Sequence, residues 1–478
     1  MPALTVPSHV KSMLPLARAL RKDGHSISLA QYYSQEMEKL SENNVEFIYL
    51  STYGEDFMDE KFDNSVWRVK TAIPWESLMS GWAAGEICRL SWNDDNNTNF
   101  YAQLTAGKWD LLIIDNLFQP CGMVLSTASK NLTWVDYSTT HMMKLPRAFR
   151  GVQLSPSVDI SANADVYEPK RFGSRLMSLL NCIEELAFWV LINTLMETRA
   201  EGIPFGKWRV QDFYTNGVYS IGSLPAILDV PLPQTADTFV VDYECPKPAK
   251  LSGEYLQFVE DPLSKGTIVL SFGHFADWKA APAATIQAVS SAFENLQQYR
   301  IIWQFNGDLS VVTNRSHVKI ESWVPLAAIL QHPKTAVFIT HTGIKSFLEA
   351  VCFATPVVAV PLFGDQPRYS MLASMHGFGV RLDKTNLTKE ALYNTIVTVA
   401  ENRKYKERIT KFSGMISDRI IDATSNGKFW INFYLRHPSS ANRMRLKGTM
   451  LNSFTYSCYD VFTLLCILLF SLRSAIDS

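Results

Sequence analysis

The chain has 478 residues, too many for one ordinary core, so two or three domains are expected. It is 47% apolar and 19% charged, a globular composition, and a net charge of −1 removes the main argument for nucleic-acid binding. The seven cysteines are scattered without a C-x-x-C, so neither a zinc site nor a disulfide framework is expected. Four N-x-[ST] sequons begin at Asn96, Asn131, Asn314 and Asn386 and weakly favour a secretory route.

In chain order, "MPALTVPSHVKSM" has no basic n-region and no long apolar run, so no signal peptide is expected. An incomplete N-terminus and a chain that is not translocated both stay open. "ALTV" (3–6) reads as a strand, and "SMLPLARALRKDGH" has the leucine and alanine spacing of a helix closed by Gly24. "SISLA" and "VEFIYL" (45–50) read as further strands. "DLLIID" (110–115), short, apolar and bounded by acids, reads as a buried parallel strand. This β-α-β rhythm predicts a doubly wound sheet. Residues 175–197 form a strongly apolar helix interrupted by Glu184 and Glu185. Core packing is its expected role, with membrane or lipophilic-ligand contact the alternative.

The stretch "VDYECPKPAKLSGE" (241–254), rich in proline and lysine, reads as a linker. The rhythm then restarts with "TIVLSFG", "AATIQAVSSAFENL", "YRIIWQF", "HVKIESWVP", "AVFIT", "GIKSFLEAV" and "PVVAVPL". The predicted division is therefore an α/β domain at 1–244, a linker at 245–253, a second Rossmann-like domain at 254–437 and a tail at 438–478. The tail carries an apolar run, "VFTLLCILLFSL" (461–472), that is short against the ~20 residues of a membrane span. A membrane helix at about 459–472 and a buried or interfacial helix are both open.

Trp323, His341, Ser346, Glu349, Asp365 and Gln366 each fall just after a strand or in the first turns of the next helix. An indole suits stacking on a nucleobase. A histidine and a serine at a helix N-terminus suit diphosphate oxygens, because unpaired N–H groups and the macrodipole favour an anion there. A carboxylate further along suits ribose hydroxyls, and an Asp-Gln pair can accept from and donate to sugar hydroxyls. The plainer alternative at residues 338–350 is a strand-to-helix turn that needs Gly343 for its backbone angles.

The stretch "SWVPLAAILQHPKTAVFITHTGIKSFLEAVCFATPVVAVPLFGDQPR" (322–368) resembles the signature of the UDP-glycosyltransferase family, which includes the UDP-glucuronosyltransferases. "LARALRKDGHSIS", "CPKPAK", "VLSFG" and "FWINFYLRH" fit the same family, so the resemblance spans essentially the whole chain. It implies the GT-B fold, two Rossmann-like domains facing a cleft, plus a C-terminal hydrophobic helix. The first domain would bind the acceptor and the second a UDP-sugar, through Trp323, His341, Gly343, Ser346, Glu349, Asp365 and Gln366 with Gly273 and His274. It also implies a catalytic base at His9 oriented by Asp115, inversion at the anomeric carbon, no metal and no cofactor beyond the co-substrate. The expected donor is UDP-glucuronic acid or UDP-glucose and the acceptor a small lipophilic hydroxyl compound. Expected too are a membrane-bound protein with lumenal domains in the endoplasmic reticulum, no nucleic-acid partner, and an open question over a homo-oligomer. Four positions depart from the family: Leu326 for glutamine, Thr342 for a very small residue, Lys345 for asparagine and His274 for serine. Leu326 and Lys345, with no signal peptide expected in this sequence, support an alternative, a non-catalytic UDP-sugar-binding homologue or partner subunit.

Overall fold

The structure, a computed structural model, describes residues 7–33, 45–51, 65–70, 78–106, 109–117, 120–128, 132–161, 167–201, 208–241, 243–273, 276–312, 315–451, 453–456 and 458–476. The strand expected at residues 3–6 lies outside them. The chain enters through the helix Pro7–Lys22, whose last turn carries Arg21 and Lys22 and which ends ahead of Gly24 at φ +94°. A positive φ there is glycine's ordinary task past a helix C-terminus.

In the N-terminal half β1 (Ser28–Tyr33) pairs in parallel with β2 (Glu46–Ser51). A second parallel sheet runs β3 (Leu112–Asp115), β4 (Trp134–Ser138), β5 (Ser220–Gly222), β6 (Thr238–Val240). Every residue of β4 is buried, as a strand covered on both faces requires.

The C-terminal half holds one six-stranded sheet, wholly parallel: β7 (Thr267–Ser271), β8 (Arg300–Gln304), β9 (Val318–Glu321), β10 (Thr335–Thr340), β11 (Val357–Ala359) and β12 (Gly379–Arg381). Its spatial order is β9-β8-β7-β10-β11-β12. The chain starts in the middle, winds out one way, returns and winds out the other. That is the doubly wound order, and its direction reverses between β7 and β10, which opens a crevice at their carboxyl ends. Alternate residues enter opposite layers. Ile268, Leu270, Ile301, Trp303, Val337 and Ile339 pack on one face, whereas Val269, Ile302, Phe338 and Val357 pack on the other with Phe347 and Val351.

Several links join the halves. Trp67 packs against Phe272 and Trp278 and donates its indole N–H to the Asp277 carbonyl at 3.0 Å. The helix Ala423–Arg436 follows the second sheet but packs back on Pro7–Lys22, with Ile431 and Tyr434 beside Leu16 and Leu20. His25 Nε2 lies 2.6 Å from Asn432 Oδ1 on that helix, a structural contact at the turn.

Three expectations are corrected. Cys245 and Cys352 form a disulfide across a separation of 107 residues. The scattered spacing hid it, because the pair meets only where the linker crosses the end of the helix Ile344–Cys352. The apolar helix runs Phe172–Arg199 and is not a core helix. Only Cys182, Glu185, Phe188 and Met196 are buried, and the opposite face is exposed. The C-terminal helix runs Tyr459–Ile476, past the expected end near 472, since Arg473 extends a helix as readily as leucine does. Its 18 residues reach about 27 Å.

Candidate active site

β10 ends on the fully buried Thr340, and after three intervening residues the helix Ile344–Cys352 begins. Gly343 has φ −58° and ψ 151°, angles open to any residue, so the turn does not need glycine for its backbone. It needs glycine for space: a Cβ at 343 would stand 2.7 Å from His341 Nε2. Across the crevice, a Cβ at Gly273 would stand 3.1 Å from His341 Cε1. The imidazole is thus held between the end of β7 and the start of a helix, at the reversal point of the sheet. The left-handed residue is Thr342, at φ 59°, an unfavourable conformation for a β-branched side chain. Its hydroxyl lies 2.6 Å from the His341 carbonyl and 3.1 Å from that of Gln366, and its N–H donates to Thr340 Oγ1 at 3.1 Å. Those bonds hold the turn where smaller residues would do so without strain.

Burial pushes His341 down to about 4, so the ring is neutral, and its Nδ1 is buried without a hydrogen-bond partner. An orphaned buried polar atom is costly, and a ligand oxygen or N–H would remove the cost. No side chain caps the adjoining helix, so its first N–H groups face the same point. Ser346 is buried in the first turn. One turn on, burial lifts Glu349 to about 7, opposed by the Lys345 charge. Burial likewise raises the linker residue Tyr243, with the Glu349 carboxylate adding to the effect.

Past β11, burial raises Asp365 to about 7. Gln366 Oε1 accepts from the N–H groups of Leu362 (2.8 Å) and Phe363 (3.1 Å). The side-chain amide oxygen is therefore committed to the loop, and its NH2 is the group left to face a ligand. Trp323, two residues past the edge strand β9, is 71% exposed. Three strand spacings separate β9 from β10, so the indole stands roughly 14 Å from His341 along the carboxyl edge. Leu326 opens the helix Leu326–Gln331 and packs half-buried on the core.

In the N-terminal half, Asp115 closes β3 and is 1% exposed. It accepts from the Leu117 N–H at 3.1 Å and from Thr139 Oγ1, just past β4, at 3.2 and 3.3 Å. His9 stands in the first turn of Pro7–Lys22, but its side chain, like the whole of His274, lies outside the described residues. The pairing of His9 with Asp115 stays an expectation.

Sequence reasoning missed the groups that carry the N-terminal half onto the Asp365–Gln366 loop. The backbone N–H and ring Nδ1 of His141 each lie 3.1 Å from Tyr369 Oη. Arg368 donates to Asp159 (2.9 Å), the Ile160 carbonyl (2.9 Å) and Asp229 (2.5 Å). Their one available signal was position, "STTH" directly after a strand and an arginine directly after "GDQP".

Two cavities flank this junction. One, of about 370 Å³, lies between Ser12 and Leu16 of the first helix, Thr139, the linker at Tyr243–Lys247, and Ile344, Lys345 and Leu348. The other, of about 220 Å³, is largely apolar, walled by Leu29, Ile48, Phe100, Trp109 and Leu125, with Asp115 in its lining.

Solved structures with this architecture include spinosyn forosaminyltransferase SpnP, at a TM-score of 0.62 and 15% identity, covering 91% of this chain and 98% of that one. A UDP-glucose: anthocyanidin 3-O-glucosyltransferase in complex with UDP aligns at 0.60 and 16% identity, covering 91% and 98%. The fold is that of the GT-B glycosyltransferases. The profile of the family described as UDP-glucoronosyl and UDP-glucosyl transferase matches residues 4–474. UDP-glucuronosyltransferase 2B10 of Homo sapiens is 32% identical over 408 residues, 81% of this chain and 73% of its own. UDP-glucuronosyltransferase 2B14 of Oryctolagus cuniculus is 27% identical over 381 residues, 76% and 68%. The chain belongs to this family and is a UDP-glycosyltransferase enzyme.

Proposed function

We propose that the enzyme moves a hexosyl group, glucuronosyl or glucosyl, from a UDP-sugar to a hydroxyl of a small lipophilic acceptor, with inversion and without a metal. The observation that carries this reading is the neutral, unpartnered His341 held beside an uncapped helix N-terminus at the reversal point of the sheet. The diphosphate would supply the missing acceptors for His341, Ser346 and the helix N–H groups, which also stabilise the charge that grows on UDP as it leaves. Uracil would stack on Trp323, ribose would meet Glu349, and the sugar would meet the Asp365 carboxyl and the Gln366 NH2.

The acceptor would occupy the apolar cavity that Asp115 helps to line. Its hydroxyl oxygen bonds to the anomeric carbon on the face opposite UDP as the bond from that carbon to the phosphate oxygen breaks. His9 takes the hydroxyl proton, and Asp115 orients the imidazole and balances its charge. The helix Tyr459–Ile476, with its apolar side chains exposed from Tyr459 to Leu469, would anchor the protein in a membrane, with both domains in the lumen of the endoplasmic reticulum. The disulfide and the exposed sequon residues Asn96 and Asn386 support that oxidising side.

UDP release, measured across a panel of UDP-sugars with mixed phenolic acceptors, tests the assignment. One donor should dominate, and a chelator should leave its rate unchanged. No turnover with any donor, or inhibition by chelator that Mg²⁺ or Mn²⁺ restores, would overturn it.

A further inference from the structure

We propose that Tyr243, on the linker between the two halves, is a further donor-binding residue. Its hydroxyl donates to one ribose hydroxyl while Glu349 accepts from the neighbouring one, so the pair selects a ribonucleotide. This role rests on the placement of a UDP-sugar along the helix Ile344–Cys352, and it adds to that placement a residue and a selectivity. Tyr243 lines the cavity of about 370 Å³ that Ile344, Lys345 and Leu348 of the same helix also wall. That volume is within the range of small-ligand pockets.

The linker is pinned to that helix. Cys245 is joined to Cys352 at a Cα separation of 5.6 Å. Lys345, Glu349 and Cys352 stand four and three residues apart, so they share one face of the helix, and the disulfide fixes the linker to the far end of that face. Tyr243 is two residues before Cys245, and Glu349 is three before Cys352. The two side chains come near enough for the Glu349 carboxylate to add to the rise that burial imposes on the Tyr243 phenol. Tyr243, Cys245, Leu326 and Cys352 are all half-buried against the same layer of the second domain.

No hydrogen bond joins these two groups, and among the described residues the Tyr243 hydroxyl has no hydrogen-bond partner. A phenol O–H drawn out of water ordinarily finds an acceptor. Here it lines a cavity instead. Burial keeps the phenol protonated, so it is a donor, and the ionised Glu349 is an acceptor. A donor and an acceptor held apart suit a vicinal diol, because each hydroxyl both gives and takes a hydrogen bond. Leu326, on the same layer, can do neither. One helical turn toward the start of the helix, about 6 Å, Lys345 lines the cavity with Arg18 and Lys247, and Glu244 is the acid of that lining. Cations followed by an uncharged donor and a carboxyl match a diphosphate followed by a ribose.

Calorimetry on the full chain, with UDP and with 2′,3′-dideoxy-UDP, tests this role. Tyr243→Phe keeps the ring and its packing and removes only the hydroxyl. It should weaken UDP binding about three- to tenfold and leave the affinity for dideoxy-UDP unchanged. Equal losses for the two nucleotides would overturn the proposal, because a hydroxyl that only held the linker in place would affect both alike. Unchanged UDP affinity in Tyr243→Phe beside a loss in Glu349→Ala would remove Tyr243 from the site and leave the nucleotide where it is placed. Unchanged affinity in both variants would overturn the role of Tyr243 together with that placement.

Discussion

The two halves of the molecule treat buried charges differently. In the N-terminal half opposite charges face each other, Lys144 with Glu185, Arg147 with Asp159, and Arg150 with Asp136 and Asp237, even though single atoms such as Arg147 Nη2 and Asp237 Oδ1 have no hydrogen-bond partner. At the carboxyl edge of the second sheet they are left short. His341 has an orphan nitrogen, and Glu349 and Asp365 are pushed up to about 7 by burial, which among the described residues Lys345 opposes at Glu349. Buried charges that maintain a fold are paired, because breaking such a pair strands its partner. Groups that wait for a ligand are left poor, because the ligand brings the missing bonds. Arg368 belongs to the first kind although it sits three residues from Asp365, since Asp159 and Asp229 occupy its guanidinium. It is not available to a uronate carboxylate.

Substitutions can break this contrast, and the largest effect should fall on chemistry. His9→Ala should lower turnover by about 10²–10⁴ while UDP affinity, measured by calorimetry, stays nearly constant. Turnover equal to the parent's would remove His9 from the reaction.

Arg368→Met tests the paired kind. It strands Asp159 and Asp229 at the junction of the halves, and should cost about 3–5 kcal/mol in chemical denaturation. A loss under 1 kcal/mol would mean that the junction does not depend on these pairs.

For the unpaired kind, Leu326→Gln should tighten UDP binding by about 0.5–1.5 kcal/mol, and Glu349→Ala should weaken it by a similar or larger amount. The two effects should be coupled if both side chains address one ribose. Unchanged affinity in both variants would move the nucleotide away from this edge.

A further effect is in pH. Glu349 is raised from 4.5 to about 7 in the folded chain, so the fold binds a proton that the unfolded chain has released. Its contribution to stability therefore falls as pH rises from about 4.5 to 7. His341 acts in the opposite sense: held neutral down to about 4 against 6.5, it costs stability as pH falls through that window. Melting curves of Glu349→Gln and the parent should diverge with pH, the variant losing less between 5 and 7. Parallel profiles would place Glu349 in water.

The sequence by itself determined what is local. The period of apolar residues gave the β-α-β rhythm, and side-chain chemistry after each strand marked His341, Glu349, Asp365 and Gln366, because a strand's carboxyl end and a helix's first turn are adjacent in sequence. Which neighbour covers an element is not local, and only the tertiary structure decided it. Periodicity marked 175–197 as apolar without showing that half its circumference meets no protein. Cysteine spacing could not join Cys245 to Cys352, since their contact depends on where a linker crosses a helix. Glycine at 343 follows from the imidazole packed against it rather than from its own φ, so the plainer alternative of a backbone-angle requirement fails, and only the pairing of β7 with β10 brings Gly273 against the other side of that ring.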